Sequence, residues 1–255
     1  MPRSAPEAFS ATVEAYLATM APGLRPVAAE VVRRARLAPS ERVLDVGTGT
    51  GQGAAAALGD GREVVGVDAA TGMLARARAA VPAATFVEGD FLALPFPDRG
   101  FDVVIAVHSL HFAGDPGAAL VEWRRVTRPG GRLSLSLPGP REATAAPVFE
   151  AVHRRFGIHG GRIYPNETTI AGWAQEAGWA ATQTGADPAI AIELADREAF
   201  DLWMATGSRG QATGEWTEER QLALRDAMFA VAPRMADGTI RIPFGALYLT
   251  AANPG

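Results

Sequence analysis

The apolar positions along this chain change their spacing three times. Phe9, Val13, Tyr16, Leu17 and Met20 recur at helical intervals, and Val27, Val31 and Val32 continue behind Pro26, a residue suited to a first helical turn. The chain therefore opens with helices. From residue 42 short apolar runs take over: RVLDV at 42–46, EVVGVD at 63–68, ATFVEG at 84–89, FDVVIAV at 101–107 and GRLSLSL at 131–137. Near-continuous Val, Ile and Leu predict strands covered on both faces. Helical segments separate the first three, including ATGMLARARAAV at 70–81. The fourth and fifth are joined by DPGAALVEWRRVTRPGG, whose Pro129-Gly130-Gly131 stops a helix. Successive βαβ units predict an α/β, doubly wound, mostly parallel sheet with right-handed crossovers.

After Pro138 the alternation breaks. Helical patterns at 142–156, 167–178, 196–206 and 217–232 surround one strand-like run near 188–193, and TIRIPFGALYLTA closes the pattern at 239–251. The last two runs are expected to pair antiparallel on the sheet edge, where Pro243 is tolerated. The helices between 142 and 235 would then lie over the strand ends as a lid. Ligands of doubly wound sheets bind beyond the carboxyl ends of the strands. Asp45, Asp68, Asp90 and the stretch VHSLH at 107–111 all fall there.

Composition narrows the chemistry. At 255 residues, 48% of them hydrophobic, the chain suits one α/β domain with an elaboration. A net charge of -4 offers no basic field for a phosphate backbone, so a small molecule is the expected partner and nucleic acid is not. Cysteine is absent, which removes thiolate nucleophiles, cysteine-ligated zinc and iron–sulfur clusters. All 24 Lys-plus-Arg residues are arginines, so lysine bases and Schiff bases are excluded too. The first twenty residues fit neither a signal peptide nor a membrane span, and a cytoplasmic protein is expected. Oligomeric state is not legible.

The stretch RVLDVGTGTGQG at 42–53 carries most of the functional information. A dinucleotide turn brings pyrophosphate to a helix N-terminus, where amides and the helix dipole favour anions. Here Gly47, Gly49 and Gly51 alternate, Gln52 takes the fingerprint's last position, and Asp45 stands just ahead. A carboxylate ~4 Å from a phosphate would repel it by about 4 kcal/mol at an effective dielectric of 20. The turn suits a phosphate-free, cationic nucleoside such as S-adenosylmethionine.

Read in order, VLDVGTGTG, VVGVD, EGDFLALPFPDRGFDVVIA, LHF and RRVTRPGGRLSLS resemble the motifs of class I S-adenosylmethionine-dependent methyltransferases of the small-molecule type, over roughly residues 42–137. The resemblance implies a Rossmann-like, seven-stranded sheet with a reversed last strand. Length and the apolar pattern make the chain a single domain over 1–255: N-terminal helices at 1–40, a cofactor-binding core at 41–138, a lid and substrate-binding elaboration at 139–235, and a terminal strand at 236–255. By position the resemblance places Gly47, Thr48 and Gly49 against the cofactor and Asp45 near its methionine end. Asp68 would bind the ribose, Ala69 or Met73 would flank the adenine, and Asp90 with Phe91 would receive its amino group and ring. Backbone near Ala106 or Val107 would meet the methionine moiety, and Tyr16 would cover the cofactor. Transfer of a methyl group to an O, N or C nucleophile of a small, apolar or aromatic molecule is the implied reaction. Two alternatives share the motifs: a cyclase or decarboxylase that keeps the cofactor, and a noncatalytic binding protein.

The remaining residues divide by spacing. His108 stands where an apolar residue is expected and faces the acceptor region, so it is a candidate general base or substrate ligand. His111 matches a position where the family commonly has histidine, and is either architectural or catalytic. The His-x-x-His spacing lacks a third ligand, and no metal is expected. Asp68 and Asp90 also suit a helix cap and an Asx turn. Asp102 reads as a turn cap. His153 and His159 read as solvated lid residues, and Trp123, Trp173, Trp179 and Trp203 as core or lid packing.

Overall fold

The computed structural model describes residues 4–158, 164–206, 213 and 216–255. His159 lies outside them. Three helices open the chain, α1 (Ala5–Ala11), α2 (Val13–Thr19) and α3 (Ala21–Ala35). A reciprocal Ser4–Glu7 capping box starts α1. Because α3 begins at Ala21, Pro22 occupies its first turn and Pro26 lies inside the helix, one turn later than the sequence suggests.

The core alternates strands and helices: β1 (Arg42–Val46), α4 (Gln52–Ala57), β2 (Glu63–Asp68), α5 (Thr71–Ala80), β3 (Thr85–Glu88), β4 (Phe101–Val107), α6 (Pro116–Val126) and β5 (Thr127–Leu137). The helix α6 ends at Val126, and the Pro-Gly-Gly stretch forms the irregular start of β5, where the pairing with β4 shifts register. Then follow α7 (Ala146–Arg155), α8 (Glu167–Glu176), β6 (Ala180–Asp187), β7 (Ala191–Leu194), α9 (Arg197–Ala205), α10 (Glu218–Val231), β8 (Ile240–Pro243) and β9 (Ala246–Ala252).

Seven strands form one sheet in the order β3-β2-β1-β4-β5-β9-β6, with β9 antiparallel to both neighbours. Strand order reverses between β1 and β4, which makes their carboxyl ends the switch point. Burial on both faces explains the near-continuous apolar runs. Leu44, Val104 and Leu135 pack with Trp123 of α6 on one face, while Val43, Val103 and Ile105 pack with Val27 and Val31 of α3 on the other.

Two expectations for the second half need correction. The run near 188–193 does pair antiparallel with the chain's last segment, but as a separate ribbon of β7 with β8. The sheet-edge strand is β6, whose sequence AATQTGAD has no apolar run. An edge strand with one neighbour takes its register from β9, and it carries a bulge near Ala181. The segment 239–251 is itself broken at Phe244-Gly245, so its first half joins the ribbon and its second half joins the sheet.

The helix α8 also departs from the expected lid. Ile170 and Ala174 pack into the same face as Trp123, with Trp179 Nε1 donating to the Leu120 carbonyl at 3.0 Å. The remaining elements, α7, α9, α10 and the β7–β8 ribbon, share a separate core that includes Phe149, Phe200, Trp203, Met228 and Ile242. This cap lies over the carboxyl ends of the strands. Among the described residues, no helix is long and apolar enough to cross a membrane.

Candidate functional site

The strand β1 delivers its last residues into a turn that only glycine can make. Gly47, Gly49 and Gly51 have φ of 69°, 54° and 87°. The turn hangs from β2: the Gly47 and Thr48 amides donate to the Val67 carbonyl at 2.8 and 3.0 Å. The loop after β4 crosses above it, with the Ser109 hydroxyl donating to the Val46 carbonyl at 2.6 Å. A Cβ on Gly47 would lie 2.3 Å from Ser109 Cβ. At Gly49 the same atom would project toward the Tyr16 hydroxyl, 3.9 Å away, filling a cradle beneath α2.

The acids take different places around this turn. Asp68 Oδ2 accepts from the Gly49 amide and Oδ1 from the Ala70 amide, both at 2.8 Å. Burial raises its pKa despite these bonds. Asp68 therefore caps the loop into α5 and also lines the cavity. Asp90 likewise lines the cavity while its Oδ1 accepts from the Leu92 amide at 2.8 Å. The helix-cap and Asx-turn roles thus coexist with exposure to the site.

Asp45 is fully buried and lies beneath the turn, outside the cavity wall. Its Oδ2 accepts from the Thr48 hydroxyl at 2.6 Å and from the Ala54 amide of α4 at 2.8 Å. Burial pushes its pKa up to about 6, against those two hydrogen bonds, and the Asp68 charge pushes the same way. Gly53 permits this arrangement, because a Cβ there would sit 2.7 Å from both carboxylate oxygens. The sequence signal was present in the fourth glycine of GTGTGQG, which the dinucleotide pattern leaves out. Thr48 and Ala106 also stay outside the cavity wall, Thr48 as the partner of Asp45 and Ala106 as core.

One cavity of about 810 Å³ runs from the turn into the cap. Its first end brings together Tyr16, Gly47, Gly49, Asp68, Ala69, Met73, Asp90, Phe91 and Val107. Burial, then the Asp68 and Asp45 charges, raise the Tyr16 pKa and keep its hydroxyl neutral. At the middle stand His108 and His111. The His108 backbone has φ of 49°, its Nδ1 lies 2.9 Å from Ser136 Oγ, and its ring meets Phe244 edge-on at 5.4 Å. His111 sits in a short 3-10 turn, its ring 4.0 Å from that of Phe112. The far end is apolar, with Phe149, Trp203, Met204, Leu224 and Met228, and has a rim of Arg141, Glu150 and Arg154. His153 also lines it and is half-buried, not solvated as expected, and burial lowers its pKa.

The first end fits S-adenosylmethionine on its own geometry. Three carboxylates in or under the wall suit a cation, the Gly49 cradle admits close approach to backbone, and among the described residues Asp45 Oδ1 is buried without a hydrogen-bond partner. Residues that would hold the donor are Asp68 at the ribose, Asp90 and Phe91 at the adenine, and Tyr16 above the turn.

Comparison with known proteins agrees with this geometry. A family described as "Methyltransferase domain" matches residues 44–135. The chain is 37% identical over 159 residues to a demethylmenaquinone methyltransferase of Beutenbergia cavernae, covering 55% of this chain and 66% of the relative. It is 31% identical over 162 residues to the enzyme of the same name from Renibacterium salmoninarum, covering 55% of this chain and 67% of the relative. The match thus leaves about one third of each relative unaligned. The YcgJ protein of Bacillus subtilis shares the fold, with a TM-score of 0.62 over 90% of this chain and 99% of that one, at 19% identity. With the reversed strand, the glycine turn and the ordered acids in place, the chain belongs to the class I S-adenosylmethionine-dependent methyltransferases.

Proposed function

We propose that this chain methylates an oxygen, nitrogen or carbon nucleophile of a small, apolar or aromatic molecule held by the cap. The supporting observation is the continuity of one cavity, with Gly49 and Asp68 at one end and Phe149, Trp203 and Met228 at the other. Donor and acceptor would meet near His108 and His111. When bound, S-adenosylmethionine supplies an activated methyl group on a cationic sulfur.

The chain's own contribution is placement and exclusion of water. Asp68 and Asp90 would orient the nucleoside, Tyr16 would close over it, and the cap would hold the acceptor in line. Orientation of this kind is worth up to ~7–11 kcal/mol, and a dry cavity strengthens each electrostatic contact. His108, then His111, are the residues that would contact the acceptor. The same reading keeps the protein cytoplasmic and without a nucleic-acid partner.

The names of the relatives above make demethylmenaquinone the first acceptor to try. Incubation with S-adenosylmethionine and that compound should give a product heavier by one methyl group, alongside S-adenosylhomocysteine, by mass spectrometry. A converted product with an unchanged methyl count would replace this reading with cyclase or decarboxylase chemistry. Donor binding without turnover across a panel of quinols, phenols and amines would also count against it.

A further inference from the structure

Resting on the donor-site reading above, we infer that Glu122 and Arg125 of α6 are positioning residues for the adenine of the donor. They clamp the loop that carries Asp90 and Phe91, and so set how strictly the site demands an amino group on the purine.

The segment between β3 and β4 enters the cavity wall with Asp90, Phe91 and Leu92. Its near side hangs from the sheet, where the Gly89 amide donates to the Asp68 carbonyl at 3.1 Å. A tight turn follows, in which the Ala93 amide donates to the Asp90 carbonyl at 3.2 Å and the Leu92 amide to Asp90 Oδ1 at 2.8 Å. At the next residue α6 takes hold. The Leu94 amide donates to Glu122 Oε1 at 2.7 Å, and the Leu94 carbonyl accepts from Arg125 Nη2 at 3.2 Å. Between those two residues of α6, the buried Trp123 ring meets Phe91 edge-on at 6.3 Å. Neither Glu122 nor Arg125 lines the cavity, so both act through the loop.

Arg125 is committed donor by donor. Its Nε and Nη2 hold Glu122 Oε2 and Oε1 at 2.8 and 2.7 Å, and its Nη1 holds the Phe96 carbonyl at 2.9 Å and Asp98 Oδ1 at 2.7 Å. With the Leu94 carbonyl these bonds use every N–H of a guanidinium. A lysine has fewer donors and no planar fork, so it cannot replace the set. The bond from Arg125 also holds the Glu122 carboxyl below its ordinary pKa, against burial, which keeps it an acceptor for Leu94. Specificity follows from this rigidity. A carboxylate at Asp90 welcomes the amino group of adenine and repels the oxo group of hypoxanthine, and it does so only while it cannot retreat out of hydrogen-bond range.

Calorimetry on the full chain with S-adenosylhomocysteine and with S-inosylhomocysteine, which has an oxo group in place of the amino group, reads the preference as a ratio of affinities. The unaltered protein should favour the adenine compound by at least about tenfold. R125Q and R125K should both bind it about tenfold more weakly and cut the ratio to under about threefold. D98N touches only the exposed end of the network and should stay within about twofold of the unaltered protein. A ratio unchanged in R125Q would make the clamp a support of the fold alone and overturn the inference. Thermal melts check that the variants fold; where R125Q does not, E122Q gives the same reading, a narrowed ratio supporting the inference and an unchanged one overturning it. An unaltered protein that does not distinguish the two compounds would take Asp90 off the adenine and overturn the inference with it. No acceptor enters these measurements, so failure to methylate any compound would remove the proposed transfer and leave the clamp standing.

Discussion

At the turn end of the cavity, backbone amides and buried carboxylates set the shape; at the cap end, apolar side chains from four separated segments do. Gly47, Gly49 and Asp68 come from two adjacent strands whose ladder fixes them, and each has a hydrogen bond or a steric limit that allows one conformation. Phe149, Trp203, Met228 and Phe244 come from α7, α9, α10 and the segment after β8, and they share a core of their own. Packing of that kind tolerates exchange of one apolar residue for another far better than a positive-φ glycine tolerates a side chain. One end can therefore keep a single ligand while the other is free to vary its own.

The largest break in this contrast should come from Gly47→Ala. The added methyl meets Ser109 Cβ at 2.3 Å in a backbone region that disfavours it, and a shift of the turn by ~1 Å should weaken donor binding by about 100-fold. Calorimetry with S-adenosylhomocysteine measures it. Met228→Ala should act at the other end only, costing about 2–5 kcal/mol of stability for the deleted core volume. It should raise the acceptor KM several-fold while donor affinity stays within about twofold. Thermal melts and the two binding curves separate these effects.

A pH series tests the turn end more finely. Burial holds the pKa of Asp45 at about 6, above the ordinary carboxyl value of 3.8. Its contribution to folding is therefore fully present below that lower value and is lost as pH rises through about 6. Donor binding runs the other way, because a cation favours the ionised carboxylate. Affinity for S-adenosylmethionine should fall by about three- to tenfold as pH drops through about 6, a modest size because Asp45 acts across the turn. The smallest effect belongs to the exposed rim. Glu150→Gln removes the partner shared by Arg141 and Arg154, both half or more exposed, and should change stability by less than about 1 kcal/mol.

The same contrast governs what the sequence discloses. Strands buried on both faces announce themselves as apolar runs, and a glycine turn with an acid ahead announces a local shape, so β1, β2, β4 and the residues around Gly47 and Asp68 were legible. The strand β6 was not, because one neighbour and a polar, small-residue sequence leave no periodic signal. Nor was the cap side of the cavity, where the His153 ring lies beside Phe149 and Phe149 in turn packs on Trp203, and that depends on contacts between distant segments. Asp45 was read as a wall residue and lies beneath the wall. Its position depends on Gly53, which only matters once α4 is packed against β1.

Hydrogen exchange on the whole chain, with and without S-adenosylhomocysteine, tests the division of the cavity most directly. The donor end should gain protection at residues 46–53, 66–73 and on α2, while α9 and α10 change little. Protection concentrated in the cap helices, with the glycine turn unaffected, would contradict the account.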